Sequence, residues 1–232
     1  MKLPTLFLAS NDSVIPLLVF GGFCILAGVI IFVGLFQAKK RREALAKLAG
    51  SLDMSFAPGK HKPTDLGLSR MDLFAKGRSK RISNLMRGKF ADTECLLFDY
   101  RYTTGSGKNS STHNQTVVAF KIDGGDLPPF TCKPEHFFHK FMDFFGHEDI
   151  NFEDHPKFSK AYRLNGENEA SVRAIFNKEV IELLESQTER RWSVDGAGGW
   201  LVIHRTGLII KPEDCSQFLL DSTTLLNALT IR

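Results

Sequence analysis

The chain has 232 residues, of which 43% are hydrophobic and 24% charged, and a formal net charge of +4. Aromatic residues make up 11% of the sequence, which excludes a wholly disordered chain, because disordered proteins have few aromatic side chains to bury. Beyond its most apolar stretch the chain keeps about 190 residues, enough for one domain with a substantial core. The four cysteines form no CxxC pair, so we expect reduced thiols in a reducing compartment.

The most apolar stretch runs from Val14 to Phe36 and contains twenty-three residues without a charge. As a helix rising about 1.5 Å per residue it is roughly 35 Å long, enough to cross a hydrocarbon core of about 30 Å. Because cations flank the cytoplasmic end of membrane helices, we expect an uncleaved single span with an extracytoplasmic leader at 1–13 and a cytoplasmic C-terminal part. The expected membrane-interface cations are Lys39, Lys40, Arg41 and Arg42.

Charge is distributed unevenly after the span. Residues 37–89 contain 14 Lys/Arg against 4 Asp/Glu, a net of +10, whereas residues 90–232 contain 15 against 21, a net of −6. Close to a bilayer, anionic headgroups attract each cation by about 1 kcal/mol. We therefore expect the lipid bilayer and its anionic headgroups as partners. Nucleic acid is not expected, because membrane attachment already accounts for the basic segment.

A basic juxtamembrane helix and linker are expected at 37–59. Residues 37–52 have the apolar stripe of an amphipathic helix, and Pro58 and Gly59 interrupt the pattern. A short helix is expected to begin near Thr64.

Three strands with alternating apolar and polar residues follow, and the short connections between them predict an antiparallel meander. They are expected at 81–87, 94–103 and 116–122. In the second strand Asp99 and Arg101 share one face. They are candidate contacts for a partner or a small polar ligand, although a surface charge ladder, with Asp99 and Arg101 paired to each other or to Lys121, explains them as well.

A short strand at 127–132 leads to a Phe-rich helix at 134–145, which a proline opens in its first turn. On the polar face of this helix His136 and His139 lie three residues apart and could share a metal ion with downstream carboxylates. A solvated polar face explains this spacing equally simply, so these are weak metal candidates and no cofactor is expected. Cys132 is a weak candidate for a thiol nucleophile paired with an imidazole.

The last third of the chain predicts further strands, two consecutive helices, a hairpin and a final helix. They are expected at 150–152 and 161–164 (strands), 168–176 and 179–186 (helices), 191–194 and 200–205 (hairpin), 208–210 (strand) and 212–229 (helix). Trp192 and Trp200 flank the Gly-rich turn of the hairpin and are candidates for core packing or for a partner platform. The Gly-rich segments at 105–108 and 196–199 lack the spacing of nucleotide-binding loops.

These elements predict an α+β fold: one N-terminal transmembrane helix followed by an antiparallel-sheet domain with helices packed on it. The soluble domain is expected at 60–232, either as one domain or as two halves at 60–146 and 147–232.

Two stretches carry a resemblance: FDYRYTTGSGKNSSTHNQTVVAF at 98–120 and DINFEDHPKFSKAYRLNGENEASVRAIF at 149–176. Together with Leu73-Phe74, Gly77-Arg78 and LPPF at 127–130, this pattern of apolar positions and turns resembles uncharacterised bacterial membrane-anchored proteins. In those proteins a single span precedes a cytoplasmic domain of unknown function. The resemblance covers most of residues 45–230 and includes no catalytic motif. It implies a bacterial inner-membrane location and no known activity.

Three classes of function are consistent with the sequence. The preferred one is a non-enzymatic, membrane-tethered cytoplasmic domain that binds a protein partner or the membrane surface. The alternatives are a membrane-anchored hydrolase, using Cys132 with His136 or a metal held by His136 and His139, and a small-ligand sensor. An enclosed cavity lined by converging polar groups would favour the alternatives, whereas a filled aromatic core would favour the binding domain.

Overall fold

The computed structural model describes residues 14–122, 127–135 and 149–230. The chain divides between Glu43 and Ala44 into two compact units.

The first unit contains most of helix α1, which spans Val14–Ser51. The predicted span and the predicted juxtamembrane helix are therefore one continuous helix. Between Leu18 and Phe36 its large apolar side chains are exposed, as expected for a helix that is apolar on all sides and belongs in a membrane. Within the described part of the chain, α1 is the one helix long and apolar enough to cross a membrane, and its most apolar window has a mean hydropathy of 2.7.

The second unit is built on one antiparallel sheet of eight strands, in the order β1-β2-β3-β4-β8-β7-β5-β6 among the described residues. The strands are β1 (Ser55–Ala57), β2 (Arg78–Phe90), β3 (Thr93–Thr104), β4 (Ser111–Lys121), β5 (Phe130–Pro134), β6 (Tyr162–Gly166), β7 (Trp192–Ala197) and β8 (Trp200–Arg205). The predicted meander is confirmed as β2-β3-β4, and the predicted hairpin as β7-β8. The α+β fold predicted from the sequence is confirmed.

Helices cover the sheet, and side-chain caps fix where two of them begin. The helices of the second unit are α2 (Asp72–Ala75), α3 (Pro156–Ala161), α4 (Glu169–Ile175), α5 (Lys178–Ser186) and α6 (Cys215–Thr230), with short 3₁₀ turns at Pro63–Leu66, Gly107–Asn109, Thr188–Arg190 and Pro212–Asp214. The amide oxygen of Asn168 accepts from the N–H of Ser171 at 2.9 Å, and that of Asn177 from Val180 at 3.0 Å. Each thereby satisfies one of the unpaired N–H groups at a helix start.

The two faces of the sheet form two apolar clusters. On one face Cys95 and Leu97 of β3 pack with the end of α1 and with α3–α6. On the other face Leu96, Phe98 and Tyr100 of β3 pack under residues 66–74. Strand β3 is thus buried on both faces in its first half, which explains its nearly continuous apolar run.

Two predictions about single elements are wrong, and in a third Pro134 belongs to the preceding strand. Residues 150–152 form no strand, because the Asp149 carboxylate accepts from the N–H of Leu164 at 3.0 Å and only Ile150 N–H bonds to β6, at 2.7 Å. Residues 208–210 form no strand either. Pro134 ends β5, where it is paired with Tyr162, and Glu135 directly after it is helical. The end of a strand tolerates the missing N–H of proline. Residues 136–145 of the predicted helix, with His136 and His139, lie outside the described residues.

Candidate functional site

Asp99 and Arg101 lie on the face of β3 that also carries Leu97, beyond the apolar cluster. The Asp99 carboxylate accepts from Asn84 Nδ2 at 2.9 Å and from Thr116 Oγ1 at 3.1 Å. Arg101 is exposed and lies opposite Arg81 on β2 and Asn114 on β4. Lys121 pairs with Glu94 at 3.5 Å instead of with Asp99.

The two tryptophans lie at opposite ends of the β7-β8 hairpin, because Trp192 is in register with Arg205 and Trp200 with Ala197. Trp192 is fully buried, and its indole N–H donates to Gln187 Oε1 at 3.0 Å. Trp200 is partly buried and packs against the second apolar cluster. Trp192 is therefore part of the core, and its indole presents no surface of its own.

The thiols of the second unit are buried. Cys95, Cys132 and Cys215 are free and fully buried. Burial raises the pKa of Cys132 far above its ordinary value, and the carboxylates of Asp195 and Asp149 add to this effect. Because the thiolate is the nucleophilic form, Cys132 has the properties of a structural thiol.

A buried ionic cluster, formed by Asp72, Lys76, Lys133 and Asp195, joins α2 to the sheet. Lys133 on β5 contacts both carboxylates: it hydrogen-bonds Asp72, and its Nζ lies 3.8 Å from Asp195 Oδ1. Lys76 Nζ lies 3.0 Å from Asp72. The N–H of Leu73, at the start of α2, donates to Asp195 Oδ2 at 3.2 Å. Two carboxylates and two ammonium groups balance, so the cluster fixes α2 on the sheet without leaving net charge.

Electrostatics within this ionic cluster are coupled. Burial opposes the charged forms, yet the carboxylates of Asp195 and Asp72 outweigh it and raise the pKa of Lys133. In the same way Lys133 and Lys76 outweigh burial and lower the pKa of Asp72. For Asp195 burial is stronger than the attraction of Lys133 and raises the pKa to about 6. Asp195 is thus the member of the cluster that titrates nearest neutral pH.

A small cavity of about 20 Å³ lies beside the ionic cluster, between Asp72, Asn165 and Phe130. Asp72 Oδ1 and Asn165 Oδ1 are buried and accept no hydrogen bond from the described residues. A cavity of this size holds about one water molecule, which would satisfy such acceptors. It is far smaller than the several hundred Å³ of a typical ligand pocket.

One face of β7 and β8 carries the three residue types of a hydrolase triad, namely Ser193, Asp195 and His204. Their spacing in the sequence did not indicate this combination. Ser193 and His204 are cross-strand neighbours, but Ser193 Oγ hydrogen-bonds Thr206 at 3.0 Å. Neither ring nitrogen of His204 has a hydrogen-bond partner among the described residues. Burial lowers the pKa of His204 to about 3, so the imidazole is neutral. The serine–imidazole–carboxylate relay that acyl transfer requires is not assembled.

An open groove of about 470 Å³ lies between residues 208–211 and α6. Its floor is Phe218, which stacks on Trp192 with ring centroids 5.8 Å apart. The Arg205 guanidinium lies over the Trp192 ring at 4.7 Å. Arg190 on the wall pairs with Asp221. Aromatic, aliphatic and charged groups of both signs line the groove, a composition suited to a partner surface that is partly apolar and partly charged.

No group of three or more His, Cys, Asp or Glu side chains that could hold a metal ion occurs within residues 14–122, 127–135 and 149–230. His136 and His139 lie outside these ranges, so the prediction for them stays a prediction. Lys39 to Arg42 lie on α1, where Lys39 approaches Glu43 at 3.9 Å.

No protein-family model and no curated protein sequence matches the chain. Among solved structures, the chain is similar to the crystal structure of the mycobacterial trehalose monomycolate transport factor A, TtfA. The superposition has a TM-score of 0.57 and 10% sequence identity, and it covers 83% of this chain and 96% of the transport factor. At this identity the similarity establishes a shared fold.

Proposed function

We propose that this protein is a single-span membrane protein whose α+β domain lies on the cytoplasmic side and acts by binding, as an accessory factor to a membrane process, without catalysis. The observation that carries this proposal is α1, in which an uncharged segment is followed directly by four cations. Cations immediately after a span favour a cytoplasmic location for the following domain.

The packing of the second unit supports binding over catalysis. Both faces of the central strands are filled by apolar side chains, and the cavity beside the ionic cluster has room for about one water molecule. Cys132 is buried with a raised pKa. What the described surface offers is the open groove beside α6 and exposed charge, and such features suit contacts with a large partner.

The fold similarity suggests the kind of process. The similar structure is that of the mycobacterial trehalose monomycolate transport factor A, TtfA. A role beside transport machinery at a bacterial inner membrane therefore fits both the fold and the anchor. Fold alone does not determine function, so this role needs its own test.

Topology is tested with the full-length chain carrying Cys24→Ser and Ser110→Cys. Ser110 is exposed, whereas the other three cysteines are fully buried, so a membrane-impermeant maleimide reports on position 110. We expect labelling in inverted membrane vesicles and none in intact cells. Labelling in intact cells would place the domain outside and overturn the orientation.

The binding role is tested by crosslinking within native membranes, with a tagged chain ending at Gly59 as the matched control. This control keeps the span and the cationic segment but lacks strands β2–β8. We expect defined protein adducts with the full chain and none with the control. Identical adducts for both chains would show that the anchor alone makes the contacts and that the domain has another role.

A further inference from the structure

One end of the β2-β3-β4 meander carries cations that form no ion pair within the described part of the chain. This end, called the basic end below, comprises residues 78–84 and 99–116 and contains five Lys/Arg against one Asp/Glu. The cations are Arg78, Lys80, Arg81, Arg101 and Lys108. None of them forms an ion pair with another described residue.

Two of these cations face each other. Arg81 on β2 lies directly opposite Arg101 on β3, and both are exposed. The Cβ atoms of such a pair are about 5 Å apart, and like charges at this position destabilise a sheet. Asp99 is engaged by Asn84 and Thr116. An anion bound between the two guanidinium groups would remove the repulsion and accept hydrogen bonds from both.

Two exposed aliphatic side chains lie beside the basic end. Leu208 is 43% exposed and Ile209 is 36% exposed. Their backbone is held on β4: Gly207 N–H donates to Gln115 Oε1 at 3.1 Å, and the Leu208 carbonyl accepts from Thr116 N–H at 2.9 Å. This segment is separated from β2 by β3 and β4. Because neighbouring strands are about 4.8 Å apart, it lies roughly 14 Å from β2. The apolar pair is therefore held at a fixed distance from the cations, on the same sheet.

We propose that the basic end docks on an anionic lipid bilayer, with Arg81 and Arg101 binding headgroup phosphates while Leu208 and Ile209 enter the interfacial region. Phosphates arrayed over a plane complement cations spread over two strands and the β3–β4 connection better than a single acidic segment does. A chain that carries its own span also meets the bilayer at high effective concentration, so weak contacts suffice. The inference rests on the proposed function, because the cytoplasmic leaflet is the anionic one.

The test uses the full-length protein in vesicles of phosphatidylcholine alone or mixed with anionic phosphatidylglycerol. A polarity-sensitive fluorophore is attached to Cys at position 209 (Cys24→Ser, Ile209→Cys), and the three buried cysteines stay unlabelled. A second label at Asp92→Cys lies beyond the opposite end of β3. Along that strand it is seven residues, roughly 23 Å, from Asp99, whose β4 partner Thr116 holds Leu208. We expect a blue shift and quenching by a lipid-borne quencher at position 209, in anionic vesicles only, and a water-like signal at position 92.

Charge-reversal variants separate docking from general attraction. Arg81→Glu/Arg101→Glu should reduce the lipid contact of position 209 by about tenfold or more. Arg87→Glu, on the same strand but outside the basic end, should leave it unchanged. Melting curves of all variants exclude unfolding as the cause.

Three results would overturn the proposal: equal signals in neutral and anionic vesicles, equal signals at positions 209 and 92, or no effect of the double reversal. The emission of the label at position 209 could instead shift to the blue when polyglutamate is added to neutral vesicles and not shift in anionic vesicles. That result would assign the surface to an acidic protein. None of these results depends on the orientation of the span or on crosslinked partners. The docking proposal and the proposed function can therefore be refuted independently of each other.

Discussion

Replacing Lys133 by methionine removes the cation that two buried carboxylates share. Asp72 and Asp195 are 2% and 1% exposed, and Lys133 is 24% exposed. Removing one partner of a fully buried pair costs about 3–5 kcal/mol. Because Lys133 is partly exposed and Lys76 still contacts Asp72 at 3.0 Å, we expect the lower end of that range, about 3 kcal/mol.

This loss is large enough to measure as a melting temperature. For a domain of 150–250 residues, 1 kcal/mol shifts Tm by about 2–4 °C, so Lys133→Met should lower Tm by roughly 6–12 °C. Both tryptophans of the chain, Trp192 and Trp200, lie in the second unit. Their fluorescence on heating therefore reports on this unit. The matched control is Lys121→Met, which breaks the exposed pair with Glu94 and should cost under about 1 kcal/mol.

The effect of this substitution should depend on pH with a defined sign. In the folded protein the pKa of Asp195 is raised from 3.8 to about 6 by burial, against the attraction of Lys133. Without Lys133 this pKa rises further. An acid whose folded pKa exceeds its unfolded one loses stability as pH rises through that window. The deficit of Lys133→Met relative to the wild type should therefore be small near pH 4, begin to grow as the pH passes about 6, where Asp195 of the wild type ionises, and be largest at the alkaline end of the range. An equal deficit at both ends, or a deficit no larger than that of Lys121→Met, would refute this account of the cluster.

Two further predictions concern packing and thiol chemistry. A Cβ at position 196 would overlap the ring of Phe130, so Gly196→Ala should destabilise the protein by about 1–3 kcal/mol. Gly50→Ala in α1 has no atom within 4 Å of the new Cβ and should stabilise the protein by about 0.5–1 kcal/mol. Equal Tm values for the two variants would contradict the packing described. Cys132 is fully buried with a raised pKa, so a thiol reagent should modify it only after denaturation, and rapid modification of the native protein would revive the thiol-hydrolase alternative.

The sequence predicted the fold well where its periodicity was undisturbed. Alternation located the meander, and the Gly-rich turn located the hairpin. Prediction failed where side chains replace backbone hydrogen bonds. Asp149 substitutes for a strand partner of β6, and Thr116 Oγ1 accepts from the N–H of Ile210 at 3.0 Å. Such substitutions leave no periodic pattern in the sequence.

The candidate sites were harder to predict because they join distant positions. The ionic cluster brings together residues 72, 133 and 195, and only strand order makes β5 and β7 neighbours. A lysine and two aspartates so far apart in the sequence form no motif that could be detected there. Arg81 and Arg101 likewise face each other only through the register of β2 and β3. The surface cations were visible in the composition, but their arrangement was not.

The strand order has a consequence for biosynthesis. The β7-β8 hairpin is inserted between β4 and β5, which are made some sixty or more residues earlier. Until it arrives, β4 has one unpaired edge and carries four consecutive buried apolar residues, Val117, Val118, Ala119 and Phe120. An apolar strand with a free edge is a template for aggregation. Chains that end before Trp192 should therefore be the most vulnerable intermediates during synthesis, and the final forty residues complete the sheet by closing this gap.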